Sequence, residues 1–144
     1  MQVVSISSLK GGVGKTSVTM GLASAALAAG IPTLVVDLDP HADATTGLGV
    51  AAGAQLDIGR LLKSPRRFDL TEHAVPSSWA GRAAGRGSTG APPVLDVAKG
   101  SAYSGIYDRP DLRRRELRRL SILLSRVEKY SLVLIDCPPS LNGL

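Results

Sequence analysis

The sequence predicts an α/β domain with a mainly parallel sheet flanked by helices. Two short apolar segments, separated by a glycine-rich turn and a helical segment, lie within the first 37 residues, which is the pattern of a βαβ unit. A further apolar segment near the other end of the chain finishes on an aspartate, as the second one does. Runs of consecutive apolar residues are typical of strands that are covered on both faces.

The predicted βαβ unit covers residues 2–37. Residues 2–7 (QVVSIS) are largely β-branched and apolar and predict a strand that ends at the glycine-rich turn. A helix is predicted over residues 16–29, followed by a glycine and a proline that stop it. Residues 33–37 (TLVVD) predict the second strand. The apolar stripe expected on the helix consists of Val18, Leu22, Ala25 and Ala29.

The rest of the chain carries fewer strong signals. A short helix is predicted over residues 55–63, a flexible surface insertion rich in Gly, Pro and Ser over 77–93, and a strand over 94–97. Residues 111–129 predict an amphipathic helix, and residues 132–136 (LVLID) predict a last strand that two prolines end. The expected apolar stripe of that helix consists of Leu117, Leu120, Leu124 and Val127.

Composition excludes several classes of protein. Of 144 residues, 44% are hydrophobic and 20% are charged, which supplies a folded core and excludes disordered and collagen-like chains. No run of 18 apolar residues predicts a membrane span, and the first residues do not have the pattern of a secretory signal. The single cysteine, Cys137, cannot form an internal disulfide, so a reducing cytoplasm is the expected compartment.

The net charge of +5 is unevenly distributed. Residues 1–59 contain two basic and four acidic side chains, whereas residues 60–144 contain fifteen basic and eight acidic ones. A basic half attracts polyanions such as nucleic acid or an acidic membrane, and the arginines at 113–115, 118 and 119 would add to such a surface. A solvated helix face explains the same arginines at least as well, so both interpretations stay open.

The most specific motif is the turn KGGVGKTS at residues 10–17, between the first strand and the helix. Its glycines allow the backbone to approach a ligand, and its N–H groups and the helix N-terminus suit phosphate groups. In such a turn Lys15 can reach the β- and γ-phosphates of a nucleotide, and the Thr16 hydroxyl can bind Mg²⁺. The predicted nucleotide-binding residues are Lys10, Gly11, Gly12, Val13, Gly14, Lys15, Thr16 and Ser17.

Three aspartates are expected at the edge of the sheet that carries this turn. Asp37 and Asp39 follow the second strand, and Asp136 ends the last one. Each alone is as typical of a helix cap or a turn as of a site. Because all three follow strand ends beside a phosphate-binding turn, they predict a place where Mg²⁺ and water are held. The predicted metal-binding residues are Thr16, Asp37 and Asp136.

These motifs together resemble the deviant Walker A ATPases of the ParA/MinD type, and among them most closely the chromosome- and plasmid-partition ATPases. KGGVGKTS resembles their phosphate loop with its signature lysine, although Leu9 stands where the general P-loop pattern has glycine. DLDPHADATTGLG at 37–49 resembles their second motif, and YSLVLIDCPPSL at 130–141 resembles their magnesium strand.

The resemblance implies a P-loop fold, ATP and Mg²⁺ as cofactors, and roles for five residues. Lys10 would reach the nucleotide of a second subunit in an ATP-bound dimer, and Lys15 would bind the phosphates of its own subunit. Asp39 would position the attacking water, and together with the two lysines it forms the implied catalytic set. Asp37 would lie near the metal, and Asp136 would be the aspartate on the magnesium side.

The resemblance also implies a biological role. A partition ATPase of this kind hydrolyses ATP weakly, switches to a homodimer with ATP, binds DNA non-specifically and responds to a centromere-binding, ParB-like partner, in the cytoplasm or at the nucleoid. Three alternatives remain, namely a MinD-like membrane-positioning ATPase, a metabolic or assembly NTPase, and a fragment without turnover. Because such ATPases continue well past the last motif, the resemblance implies that residues 1–144 form the N-terminal part of one longer P-loop domain.

Overall fold

The computed structural model describes residues 1–6, 13–39, 42–50, 55–84, 93–100 and 110–137, with the backbone alone at 13, 15, 82–84 and 110–116. The described residues contain five strands and six helices. The strands are β1 (Gln2–Ile6), β2 (Thr33–Asp37), β3 (Val75–Pro76), β4 (Leu95–Ala98) and β5 (Leu132–Asp136). The helices are α1 (Val13–Ala28), α2 (Asp43–Gly47), α3 (Ile58–Lys63), α4 (Leu70–His73), α5 (Ser78–Ala84) and α6 (Pro110–Ser125).

The strands form one sheet in the order β1-β5-β2-β4-β3. Strands β1, β5, β2 and β4 are parallel, and the two-residue β3 lies antiparallel to β4. In this register Asp136 at the end of β5 pairs with Ile6 of β1 on one side and with Asp37 of β2 on the other. The last residues of three neighbouring strands therefore lie level with one another at the carboxyl edge of the sheet.

Helices cover both faces of the sheet. In β2, Leu34 and Val36 belong to a core that contains residues of α3 and α6, whereas Val35 belongs to a second core with residues of α1 and α5. This division follows from the alternation of side chains along a strand. It explains why β2, fully buried at all five positions, carries no polar face. The predicted fold class, a mainly parallel sheet between two layers of helices, is confirmed.

The buried face of α1 differs from the sequence prediction. Val18 and Leu22 of the predicted stripe are 52% and 41% exposed, and Ala25 and Ala29 are also exposed. The stripe prediction was therefore wrong by one position. The residues that face the sheet instead are Thr19, Ala23 and Ala26, all buried. Small side chains on this face allow close packing of the helix on the strands, and the larger Met20 and Leu27 contact the same core while only partly buried.

Two further segments differ from their predictions. Residues 78–84, expected within a surface insertion, form helix α5, and Ala80 is buried in the core on the α1 side of the sheet. Residues 85–92 of that insertion lie outside the described residues. Helix α6 ends at Ser125, four residues before the predicted end, and Leu117 of its predicted stripe is 46% exposed. No described helix combines the length and the hydropathy that a membrane crossing requires.

Candidate functional site

Three acidic side chains lie at the carboxyl edge of the sheet, as the sequence predicted. Asp37 and Asp136 are fully buried and stand side by side on the parallel strands β2 and β5. Asp39, only 4% exposed, follows two residues after the end of β2. The N–H of the intervening Leu38 donates to the carbonyl oxygen of Asp136 at 2.9 Å, so the backbone ladder between the two strands continues up to the residue before Asp39.

The carboxylate of Asp37 is held by three donors. Its Oδ2 accepts hydrogen bonds from the Thr45 backbone N–H at 2.9 Å and from the Thr45 hydroxyl at 2.6 Å. Its Oδ1 accepts one from the Asp39 N–H at 3.1 Å. Thr45 lies in the first turn of α2, whose N-cap residue Ala42 provides no side-chain cap. Asp37 therefore caps α2 from the end of β2 and joins the turn that carries Asp39 to that helix.

The end of β4 joins the same cluster through Gly100. Its N–H donates to the Thr45 hydroxyl oxygen at 2.9 Å. A Cβ at this position would lie 3.0 Å from Cγ and 3.1 Å from the carbonyl oxygen of Asp37, closer than side-chain carbons normally approach. The loop after β4 can come this near to Asp37 because residue 100 is glycine. Thr45 is thus the point where β2, α2 and the end of β4 meet.

The surroundings of Asp37 at this edge disfavour its ionised form. Burial raises the pKa of Asp37, and the neighbouring Asp136 raises it further, while the donors from Thr45 and Asp39 lower it. The balance moves this pKa from its ordinary value of 3.8 to about 6. The hydrogen bonds to Asp37 therefore do not fully compensate for its burial and for the repulsion from Asp136.

Helix α1 borders the acidic edge from the side of its first turns. Thr16 is half-buried, Ser17 is exposed, and the buried Thr19 donates its hydroxyl to Asp136 Oδ1 at 2.9 Å. Gly14 has a helical conformation, and a Cβ there would meet no described atom within 4 Å. The N-terminus of α1, which has a partial positive charge, therefore lies on the side of the sheet edge where the carboxylates stand.

Part of the predicted nucleotide site lies outside the described residues, namely Lys10, Gly11 and Gly12. Val13 and Lys15 belong to the first turn of α1 with their backbone alone. The structure brings the acidic residues together with α1, and the role of each lysine and glycine of the turn stays a prediction.

Three residues of this cluster were not predicted from the sequence, namely Thr19, Thr45 and Gly100. Thr19 had a signal, because it follows Thr16 by three positions and interrupts an apolar helix, as a residue with a polar partner would. Thr45 stands within the motif at 37–49, but nothing in its spacing identifies Asp37 as its partner. Gly100 had no signal, because its contact arises only when β4 lies beside β2.

The residues at this edge fit a hard divalent cation. Carboxylate oxygens are ligands that Mg²⁺ prefers, and Asp37 and Asp136 place two carboxylates side by side at this edge. Thr16, the predicted hydroxyl ligand, is half-buried in the first turn of α1, and its role at a metal stays a prediction. The raised pKa of Asp37 is also consistent with a cation site, because a nearby cation would offset the repulsion between the two buried carboxylates.

Comparison with known proteins shows which family the chain belongs to. Residues 1–75, about half of its length, match the family described as the AAA domain. The chain belongs to this family. It is 34% identical over its whole length to the chromosome partitioning protein ParA of Caulobacter vibrioides, of which it covers 50%. It is 33% identical over 94% of its length to the chromosome-partitioning ATPase Soj of Treponema pallidum, of which it covers 47%.

These relatives confirm the resemblance of this AAA-domain chain to the ParA/MinD-type ATPases. The chain spans about half the length of the relatives that it matches. Among solved structures, it is similar to cobyrinic acid a,c-diamide synthase of Mycobacterium smegmatis, with a TM-score of 0.69 and 21% identity over all of this chain and 56% of that one. That synthase was crystallised with an ATP analogue and magnesium, and the likeness confirms the P-loop fold.

Proposed function

We propose that this chain is the nucleotide-binding part of a partition ATPase that binds and weakly hydrolyses ATP with Mg²⁺. The observation that carries the proposal is the pair of buried carboxylates, Asp37 and Asp136, that stand side by side next to the first turns of α1. A buried acidic pair is costly in a folded protein unless a cation offsets it. The phosphate-loop sequence at 10–17 directly precedes and opens that helix, which supplies the site for the phosphates.

Each predicted residue has a distinct task in this proposal. Lys15 and the N–H groups of residues 11–17 bind the β- and γ-phosphates, Lys10 contacts the nucleotide of a second subunit, and Asp39 orients the attacking water. Thr16 and Asp136 hold Mg²⁺, while Asp37, with three acceptor positions already used, contributes mainly charge and the placement of Asp39. When bound, Mg²⁺ supplies charge neutralisation at the phosphate oxygens.

Partition is favoured over the other roles by sequence identity. The fold alone is shared with a synthase at 21% identity, so the fold does not distinguish a partition ATPase from a metabolic NTPase. The relatives at 33% and 34% identity are both named as chromosome-partitioning proteins. The proposal therefore includes an ATP-dependent homodimer, non-specific binding of DNA, a ParB-like centromere-binding partner, and a location in the cytoplasm at the nucleoid.

Phosphate release from the purified 144-residue chain tests the enzymatic part. Wild type should release phosphate slowly from ATP in a Mg²⁺-dependent manner, and Lys15→Ala should lose at least about tenfold, the effect of removing one charged hydrogen bond to a phosphate. Asp39→Ala should abolish release and leave ATP binding in place. Lys63→Ala, which removes an exposed lysine at the end of α3, is the matched control and should behave as wild type.

Retention on duplex DNA, measured in a salt series with ATP, ADP or no nucleotide, tests the partition role with the same proteins. ATP should increase retention of wild type but not of Lys15→Ala, and retention should fall steeply as salt rises, because the contacts are with phosphates. Mg²⁺-dependent phosphate release without any ATP-dependent DNA retention would contradict the partition role and leave the nucleotide site standing. Equal phosphate release by wild type and Lys15→Ala would contradict the nucleotide site itself.

A further inference from the structure

The hydrogen bond between Thr19 and Asp136 joins α1 to the end of β5. The Thr19 side chain is completely buried, and its hydroxyl donates to Asp136 Oδ1 at 2.9 Å across 117 residues of sequence. A threonine within a helix commonly bonds its hydroxyl to a carbonyl of the preceding turn. Here the hydroxyl crosses to another element and ends on a charged group, where a hydrogen bond is stronger than one between neutral partners.

The position of Thr19 on α1 relates it to the phosphate loop. It follows Thr16 by three residues, so both lie on the same side of the helix, and Ala23 continues that side into the core. The small side chain of Ala23 is fully buried, and α1 packs directly against β5. The distance between the first turns of α1 and the end of β5 is therefore fixed by close packing, and the hydroxyl of Thr19 bridges it.

The hydrogen bond from Thr19 restricts the orientation of the Asp136 carboxylate. An aspartate side chain can turn about its Cα–Cβ and Cβ–Cγ bonds, and repulsion from Asp37 on the adjacent strand favours a turn that moves the carboxylate away from that neighbour. The bond from Thr19 to Oδ1 opposes this rotation and fixes the position of both oxygens relative to α1. A carboxylate that is already oriented loses less freedom when a cation binds to it.

We propose that Thr19 is a positioning residue that orients the Asp136 carboxylate for the Mg²⁺ bound with the nucleotide. This inference rests on the proposed function, since it assigns a part of the same site. Thr19 itself contacts neither nucleotide nor cation in this assignment. Its hydroxyl acts through Asp136, so its effect should fall on the part of nucleotide affinity that depends on Mg²⁺.

Equilibrium binding of a fluorescent ATP analogue, measured with Mg²⁺ and with EDTA, tests this assignment in the 144-residue chain. Thr19→Val keeps the branched shape and removes the donor, so its affinity should fall about tenfold with Mg²⁺ and stay within about twofold of wild type with EDTA. Thr19→Ser keeps the hydroxyl and should restore the Mg²⁺-dependent affinity. In an Asp136→Asn background, Thr19→Val should have no further effect.

Other outcomes separate this inference from the proposed function. Loss of affinity by Thr19→Val to the same extent with Mg²⁺ and with EDTA would overturn the inference, because a merely structural role acts in both buffers. Unchanged affinity with Mg²⁺ would overturn it as well. If Thr19→Val does not fold, as judged by circular dichroism, Thr19→Ser with a loss of Mg²⁺-dependent affinity equal to that of Thr19→Ala would overturn it. Wild type that binds the analogue in neither buffer would instead contradict the proposed function.

Discussion

Asp37 is a buried acid on which opposing effects act. Its burial and the adjacent Asp136 favour the protonated form, and three donors from Thr45 and Asp39 favour the charged one. The first two effects are larger, so the pKa lies at about 6, above its ordinary value of 3.8. Between about pH 3.8 and pH 6 the folded chain therefore holds a proton that the unfolded chain has released, and stability becomes linked to pH.

The sign of this linkage gives a prediction. The contribution of Asp37 to stability is fully present below pH 3.8 and is lost as the pH rises through about 6. A shift of about two pKa units corresponds to about 3 kcal/mol in the free energy of unfolding. We expect urea unfolding of the nucleotide-free chain to show wild type losing about that much stability between about pH 4 and pH 7, relative to Asp37→Asn.

The Asp37→Asn variant is the reference because it keeps every other titrating group, both histidines included. Subtracting its free energy of unfolding removes the contributions of the groups that do not interact with Asp37. A difference between the two proteins that does not change over this pH range would mean that Asp37 is not the titrating group. A difference that grows in favour of wild type as the pH rises would mean that the hydrogen bonds from Thr45 outweigh the burial.

The acidic residues of the candidate site could be predicted from the sequence, whereas the groups that hydrogen-bond to them could not. Asp37, Asp39 and Asp136 were predictable because the ends of parallel strands meet at one edge, whatever the details of packing. Thr19 and Thr45 were not, because a hydroxyl can bond to many partners. The partner of each hydroxyl is set by how closely α1 and α2 approach the strands.

At the level of elements, the segment between α6 and β5 is fastened to β4. The Tyr130 hydroxyl donates to Asp96 Oδ2 at 2.6 Å, and Lys129 Nζ donates to the same oxygen at 3.3 Å. Asp96 is 6% exposed and Tyr130 is 3% exposed, whereas the Lys129 side chain is half-exposed. Burial and the hydrogen bond to the Asp96 carboxylate raise the pKa of Tyr130 far above its ordinary value. The tyrosine therefore keeps its proton, and remains a donor, above the pH at which an ordinary tyrosine ionises.

Substitutions of the two residues that bind Asp96 should have different effects. Tyr130→Phe keeps the ring in the core but removes the buried donor to a charged group, and we expect a loss of about 1–3 kcal/mol in the free energy of unfolding. Lys129→Met removes the ion pair between the half-exposed lysine and Asp96 but leaves the bond from Tyr130, and we expect a loss of about 1 kcal/mol. Urea unfolding at pH 7 measures both. An equal loss in the two variants would show that the buried hydroxyl of Tyr130 stabilises the fold no more than the ion pair of Lys129 does.

The strands were easier to predict than the faces and ends of the helices. Residues 33–37 and 132–136 form β2 and β5 with the predicted bounds, because a continuous apolar run bounded by turns leaves few alternatives. In α1 small and apolar residues occur on nearly all sides, so periodicity does not identify the buried face. The end of α6 at Ser125 was missed because Val127 and Tyr130 also reach the core, from non-helical backbone.

At the scale of the whole molecule, the order of the strands creates the candidate site. β5 comes last among the described strands but lies between β1 and β2, so it inserts Asp136 between the strand that precedes the phosphate loop and the strand that carries Asp37. The candidate site therefore combines residues from the first 40 positions of the chain with Asp136 from the last described strand. The other feature of this order is that β1 lies at the edge of the sheet, where Val3 is 45% exposed.

Binding of ATP measured by isothermal titration calorimetry tests the central claim most directly, because it needs neither turnover nor DNA. The account predicts uptake of about one ATP per chain in the presence of Mg²⁺, and at least about tenfold weaker binding by Lys15→Ala and by Asp136→Asn. With EDTA, wild type and Asp136→Asn should bind ATP equally, since Asp136 acts through the metal. No detectable uptake of ATP by folded wild type, or uptake that both substitutions leave unchanged, would contradict the account.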